Sequence, residues 1–386
     1  MNNTFCKPAQ EHLFISSQGH LAPCCFIKDA TDRLQDVEDP LDWFYNHPSQ
    51  HKLRQNLNSN VADGRCSHCW INEAQGKWSL RVNENGNNYL GSKPNLKLLH
   101  IVGGRLCNLA CKMCYADLSS MVQMEQRPWE LSHPDEQNYN WIDQQDNIAK
   151  LIKLANTDTL QEIQLQGGEP QLIKGFTDVL QSIPLKRKQE MQVQITTNGT
   201  VFNERFWKHI KDFKHVIIGL SIDATDERYQ LIRYHGSWNV TEKNTKKLFN
   251  YLAQTRQAGF SLNMNIVQQL SNLDQATRLT QFMETLSKAH PRLYSSYTLM
   301  PVGDNECWDL HNIPLSILKQ AYNNIHPNSK LEKEWRTNIG KAIDKNNFKT
   351  KFASEVLDRE KWFKAKHGKC LWHERPDWEQ TYEKAC

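Results

Sequence analysis

Three cysteines, Cys107, Cys111 and Cys114, stand in the stretch GGRLCNLACKMCYADLSS with the spacing C-x3-C-x2-C. That spacing puts three thiols on one short loop, close enough to wrap a compact metal site. Thiolates suit iron–sulfur clusters and zinc, and local thiol spacing of this kind is a cluster signature. A structural zinc site wants a fourth ligand, for which His100 or a distant residue is the candidate. A disulfide would strand one of the three thiols, and a chain with no secretory segment gives no oxidising context for one.

Five more cysteines lie ahead of this loop, Cys6, Cys24, Cys25, Cys66 and Cys69, in the contexts FCKP, GHLAPCC and GRCSHCW. Four thiols including one C-x2-C satisfy a tetrahedral zinc ion as well as a cluster, so both remain open on spacing alone. Cys307, Cys370 and Cys386 are scattered and read as ordinary thiols, with Cys307 placed to serve as a hydrogen donor if it lies at the mouth of a site.

The eleven cysteines are an odd number in a chain of 386 residues. The balance of 47 basic against 43 acidic side chains, net +4, gives no electrostatic footprint for nucleic acid. No run of 18 apolar residues occurs, and the first ten residues lack a basic segment followed by an apolar one, so the expectation is a cytoplasmic protein with no membrane partner. The twelve Trp read as core material.

Positioning these groups requires a scaffold, and from about residue 97 short apolar runs alternate with longer amphipathic stretches, the pattern of βα units. Strands are expected at 97–102, 162–166, 191–196, 215–222, 260–267 and 293–300. Helices are expected at 145–156, 175–182, 203–213, 241–258 and 272–289, with Asn203 and Thr241 as N-caps. Six strands predict a partial (β/α)6 TIM-type barrel, open rather than closed, with ligands at the carboxyl ends of its strands. The expected division is a small Cys-rich module at 1–92 that needs a staple in place of a large core, the barrel at 93–305, and a helical C-terminal extension at 306–386.

At this point the motifs resemble a known family. CNLACKMCY looks like the signature loop of the radical S-adenosylmethionine (radical SAM) superfamily, including the aromatic Tyr115 after the third cysteine. QGGEP at 166–170 resembles the family's glycine-rich segment, and TTNGT at 196–200 and GLSIDA at 219–224 end the next two strands as in that family. The resemblance covers about 97–302. It implies that Cys107, Cys111 and Cys114 hold a [4Fe–4S] cluster with one iron open to S-adenosylmethionine, whose reductive cleavage gives a 5′-deoxyadenosyl radical. It further implies that Gly167 and Gly168 let backbone approach the methionine moiety, that Glu169 and Pro170 belong to that turn, and that Tyr115 presents its backbone to adenine. Asn198, Ser221 and Asp223 would face ribose and carboxylate, Arg233 would pair with the carboxylate, and Val267 would pack on adenine. For Ser221, Asp223, Arg233 and Val267 an ordinary structural role is the competing reading.

The N-terminal pieces resemble twitch and SPASM auxiliary-cluster modules, here ahead of the barrel. That resemblance implies a second iron–sulfur cluster on Cys6, Cys24, Cys66 and Cys69, with Cys25 as spare or alternative ligand, and no third cluster. By analogy, such barrels act on a peptide or protein and take electrons from a flavodoxin or ferredoxin. A modifier of a small molecule (sugar, nucleotide or amino-acid derivative) is the rival enzyme reading, for which His235, Arg278 and Arg292 are too dispersed to form an obvious clamp. A metal-binding module without catalysis is the rival from another class.

Overall fold

The computed structural model describes residues 4–27, 30–86, 93–130, 140–256, 258–302 and 306–386. Ten strands run in chain order: β1 (His12–Ile15), β2 (Leu21–Ala22), β3 (Leu98–Val102), β4 (Ala110–Cys111), β5 (Glu162–Gln166), β6 (Gln192–Thr197), β7 (His215–Ser221), β8 (Arg233–Tyr234), β9 (Phe260–Val267) and β10 (Leu293–Met300). Eight form one sheet in the order β10-β9-β7-β6-β5-β3-β1-β2, while β4 and β8 pair separately and antiparallel. Among the described residues β10 and β2 lie at the two edges of the sheet, as in an open partial barrel. β3, β5 and β6 pair in parallel, as do β9 and β10.

All six expected strands are present. The sheet gains two more because β1 pairs in parallel with β3, His12 opposite Leu98 and Ile15 opposite Ile101. His12–Ile15 and Leu21–Ala22 therefore belong to the same sheet as the strands after residue 97. Contacts divide the chain into a first unit of 1–107, 116–196 and 203–217 and a second of 108–115, 197–202 and 218–386. This differs from the expected divisions at 92/93 and 305/306, where residues 92 and 305 lie outside the described residues.

Strand sequence explains which face is left for a ligand. A parallel sheet covered on both faces reads as continuous apolar runs, but here the strands alternate. In the first unit Ile163, Leu165, Val193 and Ile195 are fully buried while Gln164, Gln166, Gln192 and Gln194 are only partly covered. In the second, Leu262, Met264 and Ile266 are buried against Ser261, Asn263 and Asn265 on the other face.

The helices Gln145–Ala155, Lys174–Ser182 and Glu204–Ile210 fall where periodicity placed them. Asn203 sits at the N-cap position, yet its side chain donates to the Gln171 carbonyl at 3.0 Å and makes no capping bond. Thr241 is not a cap. The helix Trp238–Thr255 starts earlier, behind Ser237, because the tryptophan buries against Tyr229 and Phe282 and extends the apolar stripe by a turn. Thr241 is buried inside it, bonded to the Tyr229 hydroxyl at 3.0 Å. The last expected helix begins at Ala276, after a 3-10 turn at Leu270–Asn272.

In the first unit, Cys6, Ala9, Leu53 and Leu57 form a small core, with Ile27, Cys66 and Trp70 packed on it. In the second, the C-terminal segment contributes Trp308, Trp335, Trp378, Phe363 and Tyr382, all buried. No helix among the described residues is long and apolar enough to cross a membrane.

Candidate cluster and S-adenosylmethionine site

In the first unit the loop that follows β3 is zipped onto the turn that follows β5. Gly103 N–H donates to Gln166, Gly168 N–H to Gly104, and Glu169 N–H to Leu106, at 2.9, 3.1 and 2.8 Å. A Cβ on Gly168 would lie 2.1 Å from the Leu106 carbonyl oxygen, and Gly167 has φ +129°. The glycine pair is thus needed first for the close approach of its own chain to residues 103–106, a requirement sequence spacing did not reveal. Glu169 is fully buried; its carboxylate accepts from the Gln171 backbone and side chain at 3.2 Å each and caps the 3-10 turn Pro170–Leu172. Cys107, the last residue of this part, is held through its backbone by the Ser120 hydroxyl at 3.2 Å.

The second unit contains Cys111, Cys114, Tyr115, Asn198, Ser221, Asp223, Arg233 and Val267. The β4–β8 pairing sets Cys111 opposite Arg233, and the guanidinium Nη1 lies 3.6 Å from Cys111 Sγ. Its other arm meets Asp223 at 2.7 Å. Asp223, wholly buried at the end of β7, also accepts the Val267 N–H at 2.7 Å, while Asn272 donates to its carbonyl at 3.0 Å. Arg233 and Asp223 therefore spend their charge on each other. Burial pushes the Asp223 carboxyl up, opposed by Arg233. For Arg233 burial works against the cation, but Asp223 and then Cys111 outweigh it and hold it above its ordinary value. The guanidinium is a permanent cation beside a cluster-loop sulfur, which favours thiolate there.

Asn198 closes a second contact set. Its amide donates to Asn108 at 3.1 Å and its carbonyl oxygen accepts from the Thr200 N–H and hydroxyl at 2.9 and 2.6 Å, while Asn108 donates to Thr200 at 2.8 Å. This triangle fastens the residue after Cys107 in the chain to the TTNGT turn. Ser221 is half-buried at the end of β7, and Val267 at the end of β9. Cys114 lies beside the Tyr115 carbonyl at 3.8 Å.

Lys112, between two of the cysteines, was not singled out by sequence. It is completely buried, its Nζ 2.6 Å from Glu360, also completely buried, and 3.2 Å from the Ser271 hydroxyl. A lysine flanked by cysteines carries no signal of its own; its partner is 248 residues away.

The N-terminal thiols gather in the first unit. Cys6, Cys24, Cys66 and Cys69 line one small pocket together with Phe26 and Arg81, whereas Cys25 is exposed and outside that lining. Burial pushes Cys6 up to about 12 and Cys66 up to about 11. None of the eleven thiols is in a disulfide. A group of four thiols, Cys6 and Cys69 buried and Cys24 and Cys66 half-buried, is a donor set that a soft metal centre deprotonates outright. Cys307 is fully buried, its thiol pushed up to about 12 by burial, and Cys370 is buried 3.6 Å from the His373 ring.

Residues 101–267 match the family described as the radical SAM superfamily. They are a radical SAM domain. Family membership implies a [4Fe–4S] cluster and S-adenosylmethionine, and the donor set of three loop thiols with a cation on one of them fits that group. Curated relatives include the GTP 3′,8-cyclases of Parasynechococcus marenigrum, 27% identical over 237 residues, and of Aquifex aeolicus, 23% identical over 228. In both cases the aligned stretch covers 58% of this chain and 62% of the relative, so the chain spans under two thirds of those proteins. Among solved structures, SuiB of Streptococcus suis bound to its precursor peptide SuiA aligns with a TM-score of 0.36 and 14% identity, over 77% of this chain and 55% of that one. TsrM of Kitasatospora setae, a radical SAM methyltransferase, gives 0.34 and 11%, over 55% and 40%. At such TM-scores the radical SAM assignment rests on the matched residues, not on these likenesses.

Proposed function

We propose that the chain reductively cleaves S-adenosylmethionine at a [4Fe–4S] cluster on Cys107, Cys111 and Cys114 and abstracts a hydrogen atom from a peptide or protein. When bound, the cluster and S-adenosylmethionine supply the electron transfer and the radical. The chain's own residues do the holding. Arg233 sets its charge beside Cys111, the Asn108–Asn198–Thr200 triangle fixes the loop, and the glycine turn after β5 docks on residues 103–106.

The observation that carries the substrate class is the partly covered face of β9 and β10. Asn263 donates to Asn265 at 2.7 Å and to Thr298 at 3.0 Å, and Ser296 donates to Asn263 at 3.0 Å. These strands present amides and hydroxyls, and neither a lysine nor an arginine lies within them. Amide-rich faces match peptide groups, whereas a nucleoside triphosphate calls for cationic clamps. The nucleotide reading draws its support from the names of the curated relatives.

The test is anaerobic incubation of dithionite-reduced, cluster-loaded protein with S-adenosylmethionine. Formation of 5′-deoxyadenosine, lost on Cys111→Ser, is expected. An intact cluster that yields none overturns the enzyme reading, and stimulation by GTP but not by peptide overturns the substrate class. We assign a second cluster to Cys6, Cys24, Cys66 and Cys69, so that iron content should be roughly eight per chain, four for each [4Fe–4S] cluster. It should fall by about half in Cys24→Ser and stay unchanged in Cys25→Ser; stoichiometric zinc in its place refutes this.

A further inference from the structure

Two charged pairs flank the cysteine loop in the second unit, and both are out of water. Arg233–Asp223 joins β8 to the segment after β7, whereas Lys112–Glu360 joins the cluster loop to the helix Thr350–His367 of the C-terminal segment. Both side chains have zero exposure. The ammonium lies 5.2 Å from the Phe363 ring and 5.8 Å from Trp308, and the backbone N–H of Lys112 donates to Ile232 at 2.7 Å. Glu360 spends its second oxygen on the Leu371 N–H at 2.9 Å, at the turn beyond the helix. The pair is thereby tied at both ends into packed backbone.

Taking two charges from water costs several kcal/mol each, and an apolar pair of similar volume is often as stable or more so. Stability alone therefore gives little reason for an ion pair here. What an apolar pair cannot supply is a fixed charge within the run from Cys111 to Cys114.

We propose that Lys112 and Glu360 are positioning residues that lock the C-terminal segment onto the cluster loop and set the reduction potential of the cluster bound there. This rests on the assignment of the cluster to Cys107, Cys111 and Cys114. The loop residue carries the positive charge and the helix residue the opposing one, so the two single variants have opposite electrical effects. Lys112→Met leaves a buried anion and disfavours adding an electron. Glu360→Gln removes a carboxylate that opposes the ammonium and favours it.

The experiment has a metal-free and a loaded arm, with the full chain in both. Limited thermolysin digestion of apoprotein should release the C-terminal segment from Lys112→Met and from Glu360→Gln much faster than from wild type, with protection restored in the double variant Lys112→Met/Glu360→Met. In reconstituted protein, potentiometric EPR titration should show the reduction equilibrium displaced at least tenfold downward in Lys112→Met and upward in Glu360→Gln, about 59 mV per tenfold for one electron. Shifts of the same sign, or no shift at unchanged iron content, overturn the electrical role; unchanged digestion in both single variants overturns the lock. If wild-type protein takes up no iron at the loop, the cluster assignment fails, and digestion alone decides whether the lock stands.

Discussion

Gly168 shows how narrow the tolerance of this site is at the scale of one residue. With the Leu106 carbonyl 2.1 Å from where a Cβ would stand, Gly168→Ala must push backbone against backbone, which has no rotamer to yield. A loss of roughly 1–3 kcal/mol is expected, read by urea melts of metal-free protein, with cluster retention falling alongside. An unchanged midpoint would show that the 103–106 stretch gives way at no cost. The motif was legible in the sequence but its reason was not: spacing identifies a glycine pair after a strand, whereas the atom that demands it belongs to a segment 62 positions earlier. Asp223 and Arg233 were legible as charged groups near strand ends, and the structure spends them on each other. Lys112 was illegible, because burial of a lysine is decided by a carboxylate from the far end of the chain.

Among the elements, β1 and β3 carry the clearest pH dependence. His12 on β1 and His100 on β3 are both pushed down to about 4, mainly by burial, and His100 packs edge-on against Phe14 at 5.0 Å. In the unfolded chain each protonates near 6.5. Between these values the unfolded state binds protons that the folded state refuses, so stability falls as pH drops from 6.5 toward 4 and the effect is complete below that. The melting temperature should decline across this window and decline less in His100→Gln; equal slopes in both proteins would exclude His100 as a contributor. The strands after residue 97 could be read in advance since each has a strong apolar period. The joining of β1 to β3 could not, as it depends on a pairing across more than 80 intervening residues that no local pattern encodes.

For the whole molecule, the tail read as an extension is part of the second unit's core. A chain ending at residue 349 would lose Glu360 and the buried aromatic ring of Phe363, taking from the buried Lys112 its Glu360 carboxylate at a cost of roughly 3–5 kcal/mol. Against a domain stability of about 5–15 kcal/mol, that loss together with the vacated core should abolish cooperative melting of the second unit while β1, β3 and β5 keep their register. Calorimetry of the shortened chain checks this, and an unfolding enthalpy undiminished from that of the full chain would contradict it.

The 248 positions between Lys112 and Glu360 also set a clock. At synthesis rates of roughly 5–20 residues per second, the lysine leaves the ribosome about 12–50 s before the Glu360 carboxylate that meets it in the folded protein can exist. During that interval the three-cysteine loop can reach Thr200, Ile232 and Arg233 but lacks its tie to Glu360. Iron delivered to the nascent chain would meet a loop not yet tied to Glu360, whereas iron delivered after release meets one already tied. The surroundings of the cysteine loop are thus completed only by the last helices of the chain, 248 positions after the lysine whose charge they meet.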